Sequence, residues 1–147
     1  METGVAYGVS TFHILNALNK NGNGSLISVD ISRDVATFLN NEEKQRWNLK
    51  VLNTRDKPWK QFHKIMNEFA PLSVYLHDGD HSYPWQRMEY DLALQKLRRG
   101  GILLSDDVDS SYAFIDSCGR NLNEFGSIAI RGILIGRSKI FGYATKG

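Results

Sequence analysis

Apolar residues in this chain follow two rhythms: continuous runs of strand length, and longer segments in which they recur every three or four positions. Polar turns rich in Gly, Asn, Asp and Pro separate the two. A helix starting near Ser10 places Phe12, Ile14, Leu15 and Leu18 on one side and ends at Asn21-Gly22-Asn23-Gly24, residues that tolerate positive φ. Leu26 to Ile31 reads as strand two, and Val51 to Asn53 as a short strand three. After Pro58, Trp59, Phe62, Met66 and Phe69 line one helical face, until Pro71 stops the helix. Val74-Tyr75-Leu76 leads to a strand end at Asp78. The next helix starts near Pro84, buries Tyr90, Ala93, Leu94 and Leu97, and ends at Gly100-Gly101. Ile102-Leu103-Leu104 is strand five, closing in Ser105-Asp106-Asp107. Ser110 caps one more helix with Ile115, Cys118 and Leu122 inward. Ser127 to Ile135 and Lys139 to Ala144, joined by Gly136-Arg137-Ser138, predict an antiparallel hairpin.

Alternation of strands and helices predicts βαβ units, hence an α/β domain around a mostly parallel sheet. The terminal hairpin is an addition that a plain dinucleotide-binding fold does not need. Met1-Glu2-Thr3-Gly4 reads as the exit of a buried strand whose first apolar residues are missing, so strand one is expected to be truncated and the N-terminal part of the natural domain absent. The 147 residues suit one domain over 1–147. At 41% hydrophobic and 23% charged residues the chain has globular composition, with no segment polar enough to be a disordered tail. The formal charge of +2 is spread out, which gives no footprint for nucleic acid or an anionic membrane and leaves a small molecule as the expected partner. An incomplete sheet edge would favour pairing, so a homodimer is the other expected partnership. Cys118 is the only cysteine; it excludes an internal disulfide and fits the reducing cytoplasm. No run has the length of a membrane span or the pattern of a signal peptide.

Ligands of open parallel sheets sit at the carboxyl ends of the strands, so the residues just past each apolar run carry the chemistry. The first such segment is Glu2-Thr3-Gly4-Val5-Ala6-Tyr7-Gly8-Val9-Ser10, where glycines allow close backbone approach and a helix start offers free N–H groups. The second is Asp30, 26 residues after Gly4, whose carboxylate can accept both ribose hydroxyls of an adenosine-containing cofactor. A nicotinamide enzyme calls for G-x-G-x-x-G, yet Ala6 and Val9 occupy the second and third glycine positions of that frame. S-adenosylmethionine has no phosphate, so the looser Gly4-x3-Gly8 spacing suffices and Glu2 can answer the α-ammonium. A glycine turn before a helix also arises as plain turn chemistry; the conjunction with Asp30 is what favours the cofactor. Asp56, after strand three, is a candidate for the adenine amino group or a helix cap ahead of Pro58.

With these residues the chain resembles the class I S-adenosylmethionine-dependent methyltransferases, within them the O-methyltransferase group that includes the catechol, caffeoyl-coenzyme A and bacterial sugar enzymes. The resemblance runs from Glu2 to about Val108. It rests on Glu2-x-Gly4-x3-Gly8-x-Ser10, Val29-Asp30-Ile31, Leu76-His77-Asp78-Gly79-Asp80-His81-Ser82-Tyr83 and Gly100-Gly101-Ile102-Leu103-Leu104-Ser105-Asp106-Asp107. One similar variant is a bacterial group carrying D-G-D-H-x-Y. The resemblance implies a Rossmann-like three-layer α/β/α fold with a seven-stranded sheet, its last strand antiparallel. It implies methyl transfer to a hydroxyl oxygen of a small molecule or sugar, with Glu2, Gly4, Tyr7, Gly8, Ser10, Asp30, Ile31, Asp56, Asp78 and Gly79 as the candidate cofactor set.

Asp106 and Asp107 close strand five, 28 and 29 residues after Asp78 closes strand four. Three carboxylates at one point repel unless a hard cation joins them, and an oxygen-only set suits Mg²⁺ or Ca²⁺. In metal-dependent relatives acids of this spacing hold Mg²⁺, and a base lies three residues after the strand-four acid; here that residue is His81. The resemblance therefore implies a metal at Asp78, Asp106 and Asp107, with His81 and Asp78 catalytic. The sequence differs from the catechol enzymes in having Asp107 for an amide and His81 for a lysine. The alternative roles are orientation by Asp78, helix capping by Asp106-Asp107 and a turn hydrogen bond by His81. His13, His63 and His77 read as structural. Trp85 and Tyr83 read as core or staple residues, or as pocket lining. Two other functions stay open: a non-catalytic or truncated binding module of the same fold, and a metal-dependent hydrolase, which Asp78-Gly79-Asp80-His81 superficially suggests without the further His and Asn ligands such sites need.

Overall fold

The computed structural model describes residues 1–119, 124–131 and 138–147, with the backbone alone for 124–131, 138 and 139. The chain divides into two compact units, Met1–Glu68 and Phe69–Gly147.

In the first unit β1 (Glu2–Thr3), β2 (Leu26–Asp30) and β3 (Trp47–Val51) run parallel in the order β3-β2-β1. Helix α1 (Val9–Asn21) closes on Gly22, whose φ of 64° puts it in the left-handed region and lets its N–H reach Asn19 O, as the Asn-Gly run predicts. Leu15 joins Val5, Leu26, Val35, Ala36 and Leu39 in the core, with Phe12, Ile14 and Leu18 packed against it. Strand three lies earlier than predicted, because Trp47 and Leu49 supply its apolar contacts and Val51 is its last residue. Helix α2 (Pro58–Phe69) buries Phe62 and Met66 completely, whereas Trp59, expected on the same face, is half exposed.

In the second unit the order is β4-β5-β7-β6, from β4 (Leu72–His77), β5 (Leu97–Ser105), β6 (Glu124–Arg131) and β7 (Ser138–Thr145). β4 and β5 are parallel; β7 is antiparallel to both β5 and β6, so the expected hairpin is present. Its expected turn at Gly136-Arg137, and the inward Leu122, lie outside the described residues. Helix α3 (Tyr83–Lys96) buries Tyr90, Leu92 and Ala93, with Pro84 in its first turn. It ends before Gly100-Gly101, which fall within β5 instead: Gly100 N–H reaches Lys146 O and Lys146 N–H reaches Gly101 O. Helix α4 (Ala113–Cys118) starts three residues later than Ser110 and turns Ala113, Phe114, Ser117 and Cys118 inward, leaving Ile115 exposed. Among the described residues no helix is long and apolar enough to cross a membrane.

Candidate active site

At the end of β1 the chain folds over the end of β2. Gly4 N–H donates to Val29 O at 3.0 Å, and the Asp30 carboxylate accepts Val5 N–H at 2.8 Å and, more distantly, Ala6 N–H at 3.5 Å on Oδ2. Its Oδ1 accepts Ser32 N–H at 2.9 Å. The glycine loop and the acid after strand two therefore meet, as the sequence requires of one ligand site. A carboxylate offers about four lone-pair positions, so with three N–H groups on it Asp30 anchors this loop and keeps about one position, on Oδ1, for a ligand hydroxyl. Gly4 at φ 78° and Gly8 at φ 84° adopt backbone that other residues resist. Gly8 has a second reason to be glycine: a Cβ there would stand 2.3 Å from the Cβ of Ala36, so its smallness serves the packing of the following loop as well as any ligand. Gly8 caps α1 without a side-chain bond, and Tyr7 and Ile31 are largely exposed beside this turn. Asp56 lies in the exposed turn ahead of α2, with its N–H on Asn53 O and its carbonyl accepting from Gln61 Nε2.

Glu2 does not present its carboxylate to solvent. It is fully buried and accepts from Thr11 Oγ1 at 2.6 Å, Ser28 Oγ at 2.7 Å and Ser10 Oγ at 3.2 Å. Ser28 Oγ in turn accepts Trp47 Nε1–H at 2.7 Å. Glu2 thus ties the start of α1 to the sheet, and Ser10, expected at the ligand, is one of its donors.

In the second unit, Asp78 follows β4, and Asp106 and Asp107 follow β5. Asp106 N–H donates to His77 O at 2.9 Å, pinning the two strand ends together. His81 stands between two of the acids, its Nε2 3.9 Å from Asp78 Oδ1 and 4.0 Å from Asp107 Oδ2. Asp107 reaches this position on left-handed backbone, φ 47°. Asp106 takes the opposite course and is 6% exposed, against side-chain exposures of 44% for Asp78 and 37% for Asp107. Of the three carboxylates expected to converge, two stand near a histidine and the third is buried. Among the described residues no three His, Cys, Asp or Glu side chains stand as a metal-ligand set. The arrangement as it stands, with Asp106 buried, does not fit the oxygen-only cage the sequence suggested.

Beneath His81 lies a buried polar network centred on Glu89. Its carboxylate accepts Tyr75 OH at 2.7 Å and Trp85 Nε1–H at 2.7 Å, and lies 2.6 Å from His77 Nδ1. Gln86, 1% exposed, connects this network to His81. Trp85 is therefore a structural donor. Tyr83 is partly exposed and donates to Asp116 Oδ2 at 2.8 Å. The helical spacing held a sign of this network: stepping back four residues from the core positions Tyr90 and Ala93 gives Gln86 and Glu89, polar residues on the buried stripe. His77 is buried, as a strand histidine should be, whereas His13 and His63 are exposed on their helices.

The two units carry the elements of a class I methyltransferase: a glycine turn tied to an acid, and acids at the ends of β4 and β5. A family model described as a methyltransferase domain matches residues 1–108, and the chain belongs to that family. An O-methyltransferase from Bacillus cereus in complex with SAH has a TM-score of 0.74 at 15% identity, covering 99% of this chain and 72% of that one. TomG from Streptomyces achromogenes, an O-methyltransferase of tomaymycin synthesis in complex with SAM, gives 0.71 at 18%, with 99% and 72% covered. MycE, in complex with Mg, SAH and mycinamycin VI, gives 0.69 at 14%, with 99% and 44% covered. These likenesses establish the Rossmann-like class I fold, mostly parallel with an antiparallel last strand. No curated protein matches the sequence.

Proposed function

We propose that the chain, as one methyltransferase domain, uses S-adenosylmethionine to methylate a hydroxyl oxygen of a small molecule or sugar. The observation that carries this reading is the contact between Asp30 and the Val5 amide, which joins the glycine turn to the acid that would accept a ribose hydroxyl. Gly4, Tyr7, Gly8 and Ile31 surround that turn, with Asp56, Asp78 and Gly79 as further cofactor contacts; Glu2 and Ser10 act by holding α1 in place. When bound, the cofactor supplies an electrophilic sulfonium methyl. The cluster of Asp78, His81 and Asp107 takes up the acceptor's hydroxyl proton as its oxygen forms the new C–O bond and the C–S bond breaks. Positioning accounts for much of the remaining rate. The protein is read as cytoplasmic.

Calorimetry with S-adenosylhomocysteine tests the reading. The unmodified protein should bind it, and Asp30→Ala should weaken binding by about a hundredfold, since hydrogen bonds to a charged group contribute about 1.5–3 kcal/mol each and the loop loses its anchor. Equal affinity in the two proteins would refute the assignment. Repeating the titration with Mg²⁺, then assaying methyl transfer to catechol and sugar acceptors with and without it, tests assistance by a cation. Asp106→Ala should spare cofactor binding; if it abolishes the metal response, the carboxylates rearrange around an ion.

A further inference from the structure

We infer that Gln86 is a positioning residue that holds His81 in its Nε2–H tautomer, so that the imidazole offers a proton to Asp78 and Asp107 and a carboxylate receives the acceptor's proton. The inference rests on the methyltransferase reading for its functional meaning and on the hydrogen-bond network for its geometry.

The network determines which way the Gln86 amide faces. Ser111 Oγ accepts Ala113 N–H at 3.1 Å and lies 2.6 Å from Gln86 Oε1. That separation suits O–H···O and is short for N–H···O, so Ser111 donates and the amide oxygen faces α4. The amide nitrogen then faces three groups, Ser110 Oγ at 3.2 Å and two imidazoles, 3.4 Å away at His77 Nε2 and 3.3 Å away at His81 Nδ1. Its two hydrogens are shared among the three, and it has no lone pair to offer, so an N–H on either ring nitrogen would face a donor and each ring keeps its lone pair on this side. For His77 this agrees with its other face, where Nδ1–H meets the Glu89 carboxylate at 2.6 Å. For His81 it means that Nδ1 is the acceptor, and the neutral ring carries its proton on Nε2, the atom facing Asp78 and Asp107. A neutral His81 held this way has no lone pair open at Nε2, and the proton acceptors left in the cluster are carboxylate oxygens. In the reaction the acceptor's O–H bond breaks, its proton passes to one carboxylate, and His81 Nε2–H steadies the other.

The test is a long-range ¹H–¹⁵N spectrum of histidine-labelled protein at about pH 8.5, where a free imidazole is neutral. His81→Gln, by loss of a signal, assigns the resonance. The expected result is a pyridine-type Nδ1 and a pyrrole-type Nε2 for His81; the reverse pattern would overturn the inference. Gln86→Glu replaces donor by acceptor and should invert the pattern, while Gln86→Leu should leave a mixture of tautomers. Should either variant fail to fold, Ser111→Ala makes the same point by releasing the amide, with mixed His81 tautomers expected. Unchanged His81 shifts in a folded Gln86→Leu or Ser111→Ala protein would sink the proposal. S-adenosylhomocysteine affinity, measured on the same samples, separates the two failures: its absence from the unmodified protein removes the enzyme reading and leaves the tautomer result standing.

Discussion

Each unit contains a glutamate sealed in its interior, and the two are satisfied in different ways. Glu2 is surrounded by hydroxyls from Ser10, Thr11 and Ser28; Glu89 is held by one hydroxyl, that of Tyr75, and by the ring N–H donors of His77 and Trp85. A serine or threonine hydroxyl rotates and can donate or accept, whereas an indole N–H points one way and only donates. The first site can therefore adjust to a change of partner throughout, and the second only at Tyr75. This rigidity suits a network that fixes the ring beneath which it lies, and the adaptable site suits one that fastens a helix to a sheet.

Truncating Glu89 to Ala should have the largest effect, about 3–5 kcal/mol of unfolding free energy, because buried donors lose a charged acceptor. Glu89→Gln sharpens the contrast: its amide N–H₂ would oppose the indole N–H in one orientation and His77 Nδ1–H in the other, so denaturant unfolding should show a loss of about 2 kcal/mol, while Glu2→Gln, whose hydroxyl neighbours can turn to accept, should lose under about 1 kcal/mol. Equal losses would break the comparison. Gly8→Ala combines a φ of 84° with a contact of 2.3 Å to the Ala36 Cβ, and should cost about 1–3 kcal/mol and weaken S-adenosylhomocysteine binding with it. The smallest effect is confined to alkaline solution. Burial pushes the Cys118 thiol from the ordinary 9.0 up to about 12 and raises the Tyr90 phenol in the same direction. Stability from Cys118 is thus complete below about pH 9 and is lost as pH rises toward 12. Thermal melts should fall across that window, and a thiol reagent at neutral pH should label Cys118 only as fast as the protein opens.

How much of this was legible in the sequence depended on whether a residue's environment is local. The order of strands and helices followed from apolar periodicity, and Gly22 and Pro84 marked a helix end and a helix start as their backbone preferences require. Asp30 was legible because the end of a parallel strand is a definite place. The surroundings of Glu2 were not legible: its spacing marks a strand-end acid, but the hydroxyls of Ser10, Thr11 and Ser28 that enclose it stand up to 26 positions away. The glycines at 100 and 101 looked like a helix stop because their actual partner, Lys146, pairs with them from the far end of the chain. Asp106 and Asp107 are neighbours in sequence with opposite exposures, which a left-handed φ at Asp107 makes possible and spacing alone could not reveal.

The line of polar groups from Trp47 through Ser28 to Glu2 has a bearing on how the shortest strand finds its place. Two residues give β1 almost no ladder of its own, and Glu2 sits directly across from Ser28. Sliding by a single position would swing the carboxylate to the other side of the sheet, away from every hydroxyl that neutralises its burial. A side chain buried for its charge thereby acts as an alignment pin, and the turn that follows inherits its footing from it.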